Sequence, residues 1–307
     1  DTVMEICSTQ TIQSVFAPKH PMRTHPELVI EQWRMYLIVA STTLTQTDEQ
    51  KLHVPTNQYQ HGRKKSVQKI TIHHQKITSA RSVFRLVIPL FGVEHSIIRD
   101  AVVTSLTWVN INIYKTLLEC LEPAISKWKE DFASYLSQSR KDPSMKNKIE
   151  HVATEIAHVF SATAHYLKEK HIYEDTWILE RLLTFLNEIK SFFLSRTEVQ
   201  NDPGCQRLRI FFTSLLESVY LGVQRNPEDS SNRDLFSYEM RVKYFFFIEE
   251  WCGVGPNEDV AERRIGLMKS ALKSLGYTRD GSRIALAGFE VERTSLETKA
   301  LSAMATL

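Results

Sequence analysis

Residues Ser82–Val109 read SVFRLVIPLFGVEHSIIRDAVVTSLTWV, and their spacing decides the fold class. Val83, Leu86, Val87 and Leu90 recur at helical intervals and mark one apolar stripe. Ile98, Ala101, Val102, Ser105, Leu106 and Val109 mark a second stripe beyond a short turn. Neither helix can bury its stripe alone, so each pair needs another pair beside it.

The same rhythm runs through the chain on both sides. Val29–Leu44 aligns Trp33, Leu37 and Ala40, and Ile113–Leu136 continues with an expected kink at Pro123, where proline removes a backbone donor. Ile149, Val152, Ala153, Ile156, Phe160, Thr163 and Leu167 share one helical face, as do Ile178, Leu182, Phe185, Ile189 and Phe193. Further stripes are Phe212–Val219, Met240–Trp251 and Ala261–Leu275, with breaks at Asn201-Asp202-Pro203-Gly204 and Arg225–Asn232. Only 10 glycines and 10 prolines occur in 307 residues, too few for the many tight turns of an all-β protein. Ser82–Val109 resembles a HEAT unit, with Pro89 in its first helix and Ile98-Arg99-Asp100-Ala101 and Leu106 in its second. The expected fold is all-α, a HEAT/armadillo-like solenoid of stacked antiparallel helix pairs.

Within that frame three regions are expected: first helices over residues 1–45, a basic inserted loop over 46–79, and helical repeats over 80–307. The insertion lacks helical periodicity. From Gln50 to Val93 there is no acidic residue, while Lys51, Arg63, Lys64, Lys65, Lys69, Lys76, Arg81 and Arg85 are all positive. Arg63, Lys64, Lys65 and Lys69 are therefore candidates for meeting an acidic or phosphorylated partner. Tyr59 is the sole aromatic between Gln46 and Ser82, which gives single-stranded RNA no stacking platform. A total formal charge of +2 adds nothing in favour of nucleic acid.

The chain begins at Asp1, and Leu296–Leu307 still reads as helix, so it is expected to be an excerpt of a longer array. No charged-then-apolar leader and no long apolar run appears, so neither a signal peptide nor a membrane span is expected. Four cysteines, Cys7, Cys120, Cys205 and Cys252, lack paired spacing and fit reduced structural thiols in a cytosolic protein.

No catalytic residue, metal or cofactor is expected. His151, His158 and His165 recur every seven residues, which places adjacent rings about 10 Å apart along a helix, too far to share an ion. They fall opposite the apolar stripe and are expected to face outward. Adjacent His73 and His74 point apart in extended chain. Gly253-Val254-Gly255 lacks the third glycine of a dinucleotide loop and reads as a helix cap and turn. Glu249, Glu250, Glu258, Asp259 and Glu262 read as solvated acids, and Tyr244-Phe245-Phe246-Phe247 as a helix buried on several sides.

Four blocks carry a wider resemblance: VIEQWRMYLIVASTT (Val29–Thr43), Ser82–Val109, RDLFSYEMRVKYFFFIEEWCG (Arg233–Gly253) and KALSAMATL (Lys299–Leu307). In content and order they resemble the Furry / cell-morphogenesis family, in its fungal branch. The resemblance implies a large non-catalytic scaffold of the cytoplasm and cell cortex, at sites of polarised growth. It further implies NDR/LATS-class kinases and their Mob co-activators as partners. His61-Gly62-Arg63-Lys64-Lys65-Ser66 fits the H-x-R-x-x-S pattern favoured by such kinases, which makes Ser66 a phosphorylation candidate. Two other classes remain open: a karyopherin-like HEAT transport carrier, and a helical enzyme or GTPase regulator with an exposed Arg or Asn constellation.

Overall fold

A computed structural model describes residues 26–45, 79–138, 142–195, 197–225 and 235–307. The described residues form helices joined by short turns, with no strand among them. The basic segment 46–78, including Arg63, Lys64, Lys65, Ser66, Lys69, His73 and His74, lies outside the described residues.

Helix α1 spans Pro26–Thr43 and α2 spans Ala80–Val87. Ser79 starts α2 with a reciprocal cap: its hydroxyl accepts from the Ser82 N–H at 3.2 Å, and the Ser82 hydroxyl accepts from the Ser79 N–H at 3.2 Å. Such a cap satisfies two orphan donors and is worth about 1 kcal/mol. At Ile88 the helix tightens into a 3-10 turn, Ile88–Gly92, around Pro89. Helix α3 follows over Ser96–Thr107 and α4 over Tyr114–Ser137, running through Pro123 as one helix.

Helix α5 spans Pro143–Thr163, with Asp142 accepting from the Ser144 N–H at 2.9 Å and Pro143 in the first turn. The one-turn α6 is Lys170–Tyr173, α7 is Thr176–Leu194 and the short α8 is Thr197–Asn201. Helix α9 spans Gln206–Gln224, α10 Tyr238–Glu249, α11 Glu258–Ser274 and α12 Arg279–Thr306.

These helices pack in two rows. In one, α1, α3, α5, α9 and α12 each lie against the next; in the other, α2, α4 and α7 do the same. Helix α10 extends the second row: its Phe247 ring and the Trp251 ring just past its end sit 6.2 and 5.4 Å from Phe193 of α7, and Tyr244 donates to Asn187 Oδ1 at 2.8 Å. The chain alternates between the rows, so α4 packs on α5, α7 on α9 and α10 on α12. One continuous apolar core fills the space between them, from Ile30 to Ala303. Its densest part is aromatic, with Phe212 of α9 edge-on to Phe193, Phe247 and Trp251 at 5.5–6.5 Å.

Two buried arginines fix the linkers. Each is the fourth residue of a helix in the first row. Arg99 Nη1 donates to the Val93 and Glu94 carbonyls at 2.6 and 2.8 Å, and its Nε to Glu155 Oε1 at 3.3 Å. Arg209, fully buried, donates to the Asp202 and Val199 carbonyls at 2.9 Å each and also to Gln200. A guanidinium stays charged inside a protein, so each burial is tolerable only with several carbonyls around it. The same device thus appears at α3 and at α9.

Three expectations are corrected here. His158 does not face outward: it is half-buried and lies flat on Phe211, ring centres 4.2 Å apart and 6° from parallel. His151 is also half-buried, and only His165 of the three is exposed. The reason is that α5 is an inner member of its row, covered by α3, α4 and α9 at once, so it has no free opposite side. The aromatic run of α10 is one-sided: Tyr244 is buried but Phe246 is 62% exposed. As the end member of its row among the described helices, α10 meets neighbours on one face alone. Leu86 and Leu275, placed on buried stripes by their spacing, are 49% and 72% exposed; on α2, Phe84 fills the core beside Val83 and Val87. Gly253 and Gly255 do turn the chain, with φ of 67° and 59° that only glycine adopts freely, but α10 is capped earlier, at Glu250.

Candidate partner-binding surface

Catalysis would need polar side chains gathered at an opening. On α5, Glu150 meets the linker before α9: Lys146 pairs with Asp202 and lies 3.5 Å from Glu150 Oε1. Burial pushes the Glu150 carboxyl up to about 7, with the Asp202 charge adding and Lys146 opposing. Burial also pushes the neighbouring Cys205 thiol up, so it is no nucleophile. Farther along α5, burial pulls His158 down to about 4, helped by Arg207. Arg264 of α11, drawn down to about 9 by burial and by Arg209 nearby, donates to the Gln200 carbonyl at 3.0 Å. These groups tie helices and linkers together, and Glu150 and Lys146 also line a small cleft beside Phe132, Phe192 and Val199. Among the described residues, no three His, Cys, Asp or Glu side chains gather as a metal ion requires.

A groove of about 390 Å³ is the more notable opening. It lies where the 3-10 turn after α2 faces the middle of α4 and the start of α5. Its floor is Ile88, Phe91, Trp128 and Ile149, each 5% exposed or less. Trp128 is pinned by its indole N–H, which donates to the Ile149 carbonyl at 3.1 Å. The walls carry Pro89 and Pro123, and Gly92 leaves open the space its side chain would fill beside Lys148 and Val152. Cys120 opens into it half-buried, its thiol pushed up by burial against the pull of Arg81 and Arg85. At the rim stand Arg85, Lys127, Lys148 and Asp131. Asp131 holds both lysines, each at 3.1 Å; burial raises its carboxyl, but the two lysines outweigh that and keep it below the usual range.

Sequence reasoning marked Pro89 as part of the HEAT-like pattern and Pro123 as a kink, and missed the groove, because its residues come from three separated segments. The basic residues proposed from sequence, Arg63, Lys64, Lys65 and Lys69, lie outside the described residues, as does Ser66.

The chain is 38% identical over 282 residues, 92% of its length, to "Cell morphogenesis protein PAG1" of Saccharomyces cerevisiae. It is 33% identical over 291 residues, again 92% of its length, to "Cell polarity protein mor2" of Schizosaccharomyces pombe. This chain is a homologue of the fungal Furry-type cell-morphogenesis proteins. It spans 11% and 13% of those two relatives, so it corresponds to a small part of each. Their names speak of morphogenesis and polarity, and neither names an enzymatic activity. No family model matches the chain, and no solved structure is significantly similar to it. No described helix is long and apolar enough to cross a membrane.

Proposed function

We propose that the chain is a stretch of a HEAT/armadillo-like α-solenoid that serves as a non-catalytic scaffold in cell polarity and morphogenesis. Supporting this reading is the alternation of the chain between two helix rows, in which each helix is covered by its row neighbours and by its partner across the core. Such a body grows by adding pairs and offers long outer surfaces rather than one deep pocket. The partners proposed are an NDR/LATS-class kinase and its Mob co-activator, held in the cytoplasm and at the cortex of growing sites. The segment Arg63-Lys64-Lys65 with Lys69 supplies positive charge to an acidic partner, and Ser66 is the proposed substrate serine. A phosphate there would add about −1.5 to −2 charges to that segment.

The test is affinity purification of the full-length protein from its own cells. Recovery of the kinase with its Mob supports the scaffold; recovery of a Ran-type GTPase instead would favour a karyopherin-like carrier. For Ser66, incubation with active kinase and mass spectrometry decides, and a chain left unmodified at that serine removes the site.

A further inference from the structure

We infer that the groove between the Ile88–Gly92 turn, α4 and α5 is a docking site for a peptide segment of another protein, one that carries large apolar side chains flanked by carboxylates. Its capacity of about 390 Å³ lies within the range of ligand sites, and the floor of Phe91 and Trp128 is apolar. Because Trp128 is already held by its bond to Ile149, the floor is preorganised and pays little ordering entropy when filled.

The rim selects the sign of the flanks. Three cations face one anion there, and Asp131 is already occupied by Lys127 and Lys148. Arg85 is exposed and has no ion-pair or hydrogen-bond partner among the described residues. A carboxylate on the incoming peptide would complete it without breaking a native pair. The chain's own segment Gln50–Thr78 has the wrong composition for the role, since it holds no acidic residue. The complementarity points to an acidic occupant. This assignment rests on the groove alone and stands or falls apart from the identity of the kinase partner.

The experiment selects a phage-displayed random dodecapeptide library on the whole 307-residue chain. Selected peptides are then measured by fluorescence anisotropy at low and high salt. Expected is a consensus of bulky apolar residues with Asp or Glu beside them, and affinity that falls severalfold as salt rises. Arg85→Glu, a surface change that disturbs no described pair, should weaken binding at least tenfold. Gly92→Val, which places methyl groups in the groove against the flexible end of Lys148, should do the same with the melting temperature unchanged. Bound peptide should also slow alkylation of Cys120, read by mass spectrometry. The inference is overturned by a Lys- or Arg-rich consensus, or by selected peptides that bind both variants as tightly as the parent. It is equally overturned if Cys120 is as shielded in the free chain as in the saturated one, since the groove is then covered from within.

Discussion

Replacement of His158 by phenylalanine separates its packing from its protonation. The ring lies flat on Phe211 and its Nδ1 is buried without a hydrogen-bond partner, so phenylalanine can take the same place and lose nothing polar. Burial, with Arg207 adding and Asp100 opposing, lowers its pKa from 6.5 to about 4. The unfolded chain therefore binds a proton at His158 that the folded chain refuses between those two values. For a base depressed in the fold, stability is intact above the unfolded pKa and falls as pH drops toward the folded one. At pH 5 the linkage amounts to about 2 kcal/mol, reduced to about 1 kcal/mol by solvent reaching this half-buried ring. Urea denaturation of parent and His158→Phe at pH 7.5 and pH 5.0 measures it, with all other titrating groups cancelling in the difference. The variant should gain about 1–2 kcal/mol relative to the parent on going to pH 5.0. A difference that is the same at both pH values would refute the claim that this histidine is held neutral by α9.

Glu150 predicts the opposite sign. Its carboxyl is raised to about 7, so it contributes stability below about pH 4.5 that is lost as pH climbs through 7. Glu150→Gln should gain roughly 1–2 kcal/mol on the parent between pH 5 and pH 8.5, read from the same denaturation curves; an unchanged gap between the curves contradicts the burial argument. Phe212→Ala should cost about 3–5 kcal/mol, whereas Phe246→Ala on the exposed side of α10 should stay within about 0.5 kcal/mol. Equal losses would mean that α10 is covered on both faces. Gly253→Ala combines a φ of 67° with a methyl placed 2.3–2.7 Å from Glu297, which also holds Arg293; thermal melting should show a loss of about 1–2 kcal/mol. No loss would mean that the turn after α10 is free to rearrange.

The helices were legible because burial of an amphipathic stripe leaves a period that survives in the sequence. Val83, Val87, Ile98, Val102 and Leu106 fall where their spacing puts them, in the core. Period alone says which face is apolar, not how many neighbours a helix has. That is why His158, on an inner helix, was misplaced toward solvent and Phe246, at a row's end, toward the interior. Arg99 stood within the HEAT-like pattern, yet nothing in the letters told that it reaches back to the Val93 and Glu94 carbonyls. The groove was illegible for a different reason: it is made by the meeting of segments around residues 90, 125 and 150, and no single segment bears its mark.

The hydrogen-bonded pair farthest apart in sequence among the described residues is Glu217 with Thr306, 89 positions away. A polypeptide leaving the ribosome would thus find the partners of each new helix already outside the exit tunnel, waiting on the helix made shortly before. Assembly can advance from the first pair to the last as synthesis proceeds, and no early segment has to be kept unfolded for a late one. For a protein whose relatives are many times longer than this stretch, such vectorial growth removes the search that chain length would otherwise impose.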